Sequence, residues 1–228
     1  HELPPKIRQV LPVEMTGKQK RIYNQLAEEM LAELGPDAVI ATPTEASKIL
    51  RLRQVLVSPA LVGGPDESGA LDALVDLAKE QFAVGKNLVV FTPFRQALPI
   101  IERRLKPHCD VIVQISGGLS VAELRMRIER FQRPDKRKKV AICTIKSSFS
   151  FDLTAASTAV FVGYEWTPTE NYQAEDRLHR TGQTEPVNIF YTMHYGTIDE
   201  HVMEVLDRKQ ERAAVLRVRD LKGKPTAN

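Results

Sequence analysis

The chain has 228 residues, 43% of them hydrophobic and 27% charged, which is the balance of an ordinary globular protein long enough to bury a core. A net charge of +3 does not mark the whole chain as a nucleic-acid binder, and no apolar run approaches the ~18–20 residues of a membrane-spanning helix. Cys109 and Cys143 lie far apart without metal-ligand spacing, which argues against a disulfide framework or a zinc site.

Residues 3–13 begin with Pro4-Pro5 and read as an extended connector. Thr16-Gly17-Lys18-Gln19 is a capping box, and Ile22, Leu26 and Met30 repeat behind it at helical spacing until Gly35-Pro36 stops the helix. A second helix is expected over residues 45–57, with Ile49, Leu52, Val55 and Leu56 as its apolar set. Pro59 and Gly63-Gly64-Pro65 then break the chain and set a boundary near residue 66.

Beyond the break, helix and short apolar strand alternate. Leu71, Leu74, Val75 and Ala78 mark a helix that ends near Gly85, and residues 88–91 a strand of the buried type. Residues 97–105 read as helix and 111–115 as strand. Ser120 to Glu123 is a second capping box, opening a helix whose buried stripe is expected to be Val121, Leu124, Ile128 and Phe131. Strands follow at 140–144, 159–162 and 187–192. Thr197-Ile198-Asp199-Glu200 caps a final helix with Ile198, Val202, Val205, Leu206 and Ala213 along one side. Such alternation predicts an α/β fold with a mainly parallel sheet, whose ligands gather at the carboxyl ends of the strands. The segments after Phe91, Ile115 and Thr144 should share that rim. Charge is also clustered, with five basic residues in the seven from 133 to 139 and a basic tail over 208–224.

Between the last two strands, Thr167-Pro168-Thr169-Glu170 reads as a helix start with Thr167 as N-cap, Pro168 at the first position and Glu170 closing a capping box; Gly182 offers a stop. On such a helix Gln173, Arg177 and Arg180 fall at i, i+4 and i+7, one face carrying an amide and two guanidiniums. A solvated basic face is the bland alternative. Guanidinium is a permanent, forked donor matched to phosphate oxygens.

The string from Gln173 to Gln183 resembles motif VI of the Swi/Snf family of superfamily 2 helicase-like ATPases, Gln-Ala-x-Asp-Arg-x-His-Arg-x-Gly-Gln, at every fixed position: Gln173, Ala174, Asp176, Arg177, His179, Arg180, Gly182 and Gln183. Residues 89–94 look like motif IV. Ile115-Ser116-Gly117-Gly118 with Arg125 is similar to the family's Asp-Gly…Arg segment, with Ser116 where Asp is usual. Leu52-Arg53-Gln54 with Pro59 looks like the stretch ahead of this lobe. Residues 143–156 resemble motif V through Thr144 and Leu153-Thr154-Ala155-Ala156, but Ser147, Ser148 and Ser150 replace three glycines. If those glycines take positive φ, each serine costs on the order of 1 kcal/mol or more.

The resemblance implies a RecA-like three-layer sandwich, with an interlobe linker and helical extension at 1–66, a helicase C-terminal lobe at 67–193, and a bracing helix with basic tail at 194–228. It implies arginine fingers at Arg177 and Arg180, nucleotide contacts from Gln173, Asp152 and Asp176, and DNA-phosphate contacts from Thr92, Arg95, Gly117, Thr144 and Lys146. Asp176 is expected to anchor the arginines, and His179 to be a packed support. The cofactor implied is ATP with Mg²⁺, held mainly by a first lobe of the same polypeptide, because no Gly-x-x-x-x-Gly-Lys-Ser/Thr cradle occurs in this chain. Asp199-Glu200 opens a helix instead of following an apolar strand, and is rejected as the metal-binding pair. The expected whole is an ATP-driven translocase on double-stranded DNA, of chromatin- or fork-remodelling type, intracellular and without a membrane partner, with this half alone inactive. A non-hydrolysing nucleic-acid or protein interaction module is the alternative, supported by the serine-rich motif V. An RNA-directed helicase is disfavoured by the His-Arg-x-Gly-Gln ending.

Overall fold

A computed structural model of the chain describes residues 3–35, 43–146 and 150–207. Ser147 and Ser148, Ala213, the side chains of Val205 and Leu206, and the basic tail lie outside the described residues. Two compact units are present, one comprising His1–Leu11 with Leu71–Thr192 and the other Pro12–Ala70 with Met193–Asn228.

The first unit is built on a six-stranded sheet of β1 (Lys6–Pro12), β2 (Asn87–Thr92), β3 (Val111–Ile115), β4 (Lys139–Thr144), β5 (Ala156–Phe161) and β6 (Val187–Met193). Their order across the sheet is β1-β6-β5-β2-β4-β3, so β2, β4 and β5 lie centrally. All the registers run parallel, with Thr92 beside Thr144 and Phe91 beside both Cys143 and Phe161. Strands buried on both faces must be apolar throughout, and Leu88, Val89, Val90 and Phe91 are all fully buried. The parallel crossovers are carried by α3 (Gly69–Ala83), α4 (Ala97–Leu105), α5 (Val121–Gln132) and α6 (Pro168–Glu175). The expected α/β three-layer architecture is thus present. The capping box at Ser120 and Glu123 is closed in both directions. The stripe expected on α5 is narrower than the sequence suggests, because Leu124 and Phe131 are buried but Val121 is 70% exposed. Val121 is the first residue of the helix.

Residues 3–13, read as a connector, include the edge strand β1 (Lys6–Pro12), placed beside β6. The Val187 N–H donates to Pro5 O at 2.9 Å. Ile7 and Val10 stay more than 40% exposed, so β1 is held by backbone pairing and charge instead of apolar burial. That is why hydrophobic patterning did not reveal it.

In the second unit, α1 (Gly17–Leu34) and α2 (Pro43–Val57) are accompanied by α7 (Ile198–Asp207). The Thr16–Gln19 capping box forms as read from sequence. Gln19 does more than cap. Fully buried, it donates from Nε2 to Val55 O (2.9 Å) and Leu56 O (3.2 Å), while its Oε1 accepts from Gly69 N. Ser68 Oγ donates to Val57 O at 2.6 Å. The last carbonyls of α2, which have no intrahelical partner, are thereby satisfied by side chains. Tyr23, buried on α1, accepts the Ile198 N–H at the start of α7.

Candidate nucleotide and nucleic-acid site

The helix expected to carry both arginines ends earlier than its sequence suggests. α6 closes at Glu175, and residues 176–182 follow as a series of tight turns. Arg177 N–H bonds Ala174 O and Leu178 N–H bonds Glu175 O, three-residue steps that wind tighter than an α-helix. Arg177 and Arg180 therefore do not share a helix face with Gln173, which lies exposed in the last turn of α6. Gly182 does end the segment, at φ +102°. The capping box at Thr167 and Glu170 does not form. Asn171, almost fully buried, takes over that turn instead: its Oδ1 accepts from Glu165 N, and its Nδ2 donates to Glu165 O and Thr167 O.

Burial of Glu175 explains the early stop. Its carboxylate has no exposed surface and is satisfied from two strands. Arg8 of β1 donates from Nε at 2.7 Å and from Nη2 at 2.7 Å, Lys6 approaches at 3.0 Å, and Tyr191 Oη of β6 donates at 2.8 Å. A buried carboxylate costs several kcal/mol unless paired and hydrogen-bonded, and this one is both. The contact with Glu175 raises the Arg8 guanidinium above its usual pKa; burial, then the Glu175 charge, raises the Tyr191 phenol. Arg8 also lies over the Tyr172 ring at 4.5 Å.

The two arginines occupy different surroundings. Arg177 is 8% exposed, its guanidinium 4.4 Å from the Phe151 ring centroid and 5.9 Å from that of Phe91. One amino group donates to Ile145 O, while Nη1 is buried and, among the described residues, has no hydrogen-bond partner. Burial lowers its pKa from the usual guanidinium value, yet an arginine remains cationic near neutrality. Arg180 is half exposed and bonds Asp152 at 2.6 Å and Ser150 Oγ at 3.2 Å. The 150–153 segment and the motif VI turn are thus one assembly, tied further by Leu153 N–H to Arg177 O at 2.7 Å.

Asp176, expected to anchor the arginines, instead pairs with Lys6 at 2.8 Å. Arg180 has Asp152 as its carboxylate, and Arg177 has an aromatic floor. His179 donates from Nε2 to Pro4 O, 2.6 Å away, and so is hydrogen-bonded as a support. Sequence reasoning missed Glu175, Arg8 and Lys6. The one available signal was an acid at a variable motif position between two residues that turn inward, Ala174 and Leu178.

The rim expected to hold nucleic acid is assembled, since Thr92 and Thr144 end neighbouring strands and Ile145 N–H bonds Thr92 O. The hydroxyls face inward. Thr92 is fully buried, and Thr144 Oγ1 donates to Lys146 O at 3.0 Å. Arg95 and Lys146 are exposed, and Gly117 is partly so. The Arg95 guanidinium reaches over Gly118, where a Cβ would sit 3.7 Å from Nη1. Lys146 is neutralised by Glu165 and Glu170 at 3.6 and 3.3 Å. Of the residues expected on the rim, the accessible cations are therefore Arg95 and a paired Lys146, while Thr92 and Thr144 lie buried in the backbone beneath. In the other unit Asp199 binds His194 Nδ1, and Glu200 accepts from Gly196 N, so both acids of that pair are engaged at the start of α7.

A parallel α/β sheet, a rim of short loops and a paired-arginine turn define a helicase-like lobe. Residues 69–182 match the helicase conserved C-terminal domain model, and the chain belongs to that family, as a C-terminal RecA-like lobe of the Swi/Snf type. It is 27% identical over 200 residues to Helicase SWR1 of Yarrowia lipolytica, covering 84% of this chain and 11% of that protein. It is 26% identical over 228 residues to the CHD3-type chromatin-remodeling factor CHR7 of Arabidopsis thaliana, covering 91% of this chain and 18% of that protein. The chain thus spans less than a fifth of the length of either relative. Among solved structures, the Sulfolobus solfataricus SWI2/SNF2 ATPase core in complex with dsDNA superposes with a TM-score of 0.76 at 24% identity, over 90% of this chain and 44% of that one.

Proposed function

We propose that this chain is the second motor lobe of a DNA-dependent ATPase that translocates on double-stranded DNA. The observation that carries this is the joining of motif VI to the 150–153 segment, which ties a half-exposed guanidinium to Asp152 and holds a buried one over Phe151. An anion fits this arrangement, because Arg177 Nη1 is a buried donor without a partner among the described residues and Arg180 is bound to nothing stronger than a surface carboxylate. The chain has no phosphate cradle of its own, so ATP with Mg²⁺ would be held mainly by a first lobe and would supply the phosphoanhydride to be cleaved. Arg180 would exchange Asp152 for a phosphate oxygen and stabilise the charge that develops on it. Arg177 would stay on Phe151 and present Nη1 beside it. Gln173, exposed at the end of α6, would orient the nucleotide or the water, and Asp152, once released, would steady the nucleotide's other groups. Asp176, paired with Lys6, would act through β1.

On the rim, Arg95, Gly117 and Lys146 would contact phosphates directly, and Thr92 and Thr144 would hold the loops that present them. Such contacts set position and carry no base sequence. The solved neighbour containing duplex DNA supports duplex as the track, and the chromatin-remodelling relatives support a remodelling setting, nuclear in a eukaryote. The test is ATP turnover by the full polypeptide with duplex DNA, single-stranded DNA or RNA added separately. Duplex should stimulate most; equal or greater stimulation by RNA would contradict the assignment.

A further inference from the structure

We propose that β1 is wired to the arginine turn, with Arg8 as a positioning residue for Arg177 and Arg180. The strand and Pro4 just before it make five side-chain or carbonyl contacts with α6 and the turn that follows it. Arg8 forms a two-pronged bond to Glu175 and covers the Tyr172 ring. Lys6 bridges Glu175 and Asp176, and Pro4 O meets His179. These contacts bracket Arg177 on both sides in sequence, at residues 172, 175, 176 and 179.

Glu175 is where the wiring converges. Its side chain is clamped by β1, while its own carbonyl receives the N–H groups of Leu178 and His179 and so starts the turn that carries Arg180. The far side of the same turn is fixed to the 150–156 segment, through Leu153 N–H to Arg177 O and Gln183 Nε2 to Ala156 O at 2.9 Å. The turn is therefore suspended between two anchors. Removing one leaves a buried carboxylate short of its strongest donors, which favours rearrangement of the turn over simple loss of a surface contact. A planar fork held at two points also fixes orientation as well as distance, which a single ammonium does not. β1 is an edge strand with little apolar burial, held by its backbone pairing with β6 and by these charged contacts. Displacement of the strand along β6 would be passed to the arginines through Glu175. This rests on the motor reading above for its consequence in turnover, but not for its structural content.

The experiment compares the full polypeptide with its Arg8→Ala and Arg8→Lys variants by two readouts. The first is amide hydrogen exchange of peptides covering 176–183, with a peptide from 87–92 as control. Arg8→Ala should speed exchange in 176–183 and leave the β2 peptide unchanged; Arg8→Lys should fall between. Unchanged exchange in 176–183, or equal acceleration in β2, overturns the proposal. The second is duplex-stimulated ATP turnover, where Arg8→Ala should lower kcat on the order of tenfold to a hundredfold, as misplacement of reacting groups does, with duplex affinity within about twofold of the parent. Turnover equal to the parent's would also overturn it. If the parent itself is inactive with duplex while exchange responds as stated, the wiring stands and the motor reading falls.

Discussion

Arg177 and Arg180 are three residues apart and should respond to the same substitution to different degrees. Arg177→Ala removes a desolvated guanidinium from the Phe151 ring, a contact worth on the order of 2 kcal/mol, and should lower the denaturant midpoint measurably. Arg180→Ala breaks only a half-exposed pair with Asp152, so stability should hold within about 1 kcal/mol in urea titrations. Glu185 offers a pH test. Lys86 first, then Ser157, hold its carboxyl below the ordinary range. A depressed acid stabilises the fold above its unfolded pKa of about 4.3 and loses that contribution as pH falls through the lower, folded value. Glu185→Gln should therefore melt slightly below the parent at pH 7, by well under 1 kcal/mol given the exposure of the Lys86 pair, and match it at strongly acid pH. The identities of these residues were legible in the sequence, since the motif string names both arginines. Their environments were not, because Phe151 and Ile145 reach Arg177 from 26 and 32 residues away, distances over which no periodicity speaks.

At the level of elements, capping marks the difference between what was readable and what was not. The boxes at Thr16–Gln19 and Ser120–Glu123 lie wholly within four consecutive residues, and both form. The box at Thr167–Glu170 has the same local grammar but fails, because Asn171 holds the preceding turn and Glu170 is drawn to Lys146. The early end of α6 had no local signal, since its cause is a buried carboxylate answered by β1, more than 160 residues away. β1 itself was hidden because an edge strand needs no apolar alternation when charge and backbone hold it. The second unit gives an element-scale prediction. Gln19→Ala removes the reciprocal half of the α1 capping box, the Oε1 that accepts from Thr16 N–H, and also strips the Val55 and Leu56 carbonyls of their side-chain donor. The loss should reach about 2–3 kcal/mol by chemical denaturation, clearly more than the ~1 kcal/mol of an ordinary cap.

Taken whole, and on the motor reading proposed above, the chain would be half of a machine. Its cationic turn would complete a phosphate site and its rim loops would grip a backbone, while the sequence holds no Gly-x-x-x-x-Gly-Lys-Ser/Thr cradle for the triphosphate. The alternation of strands and helices was enough to read the α/β architecture and the shared rim. It could not show which rim hydroxyls turn inward, since that depends on how Thr92 and Thr144 sit beside each other in register. The serine substitutions keep a non-hydrolysing module in view, and Ser150 is relevant because it hydrogen-bonds Arg180, a contact glycine could not make. One comparison separates motor from module: steady-state ATP hydrolysis, with and without duplex DNA, by the full polypeptide, by its Arg180→Ala variant and by this 228-residue chain alone. The expected result is duplex-stimulated turnover in the full polypeptide, a fall of about 10³-fold or more in the variant, and none in the isolated chain. Turnover by the isolated chain, or an Arg180→Ala variant as active as its parent, would contradict the account.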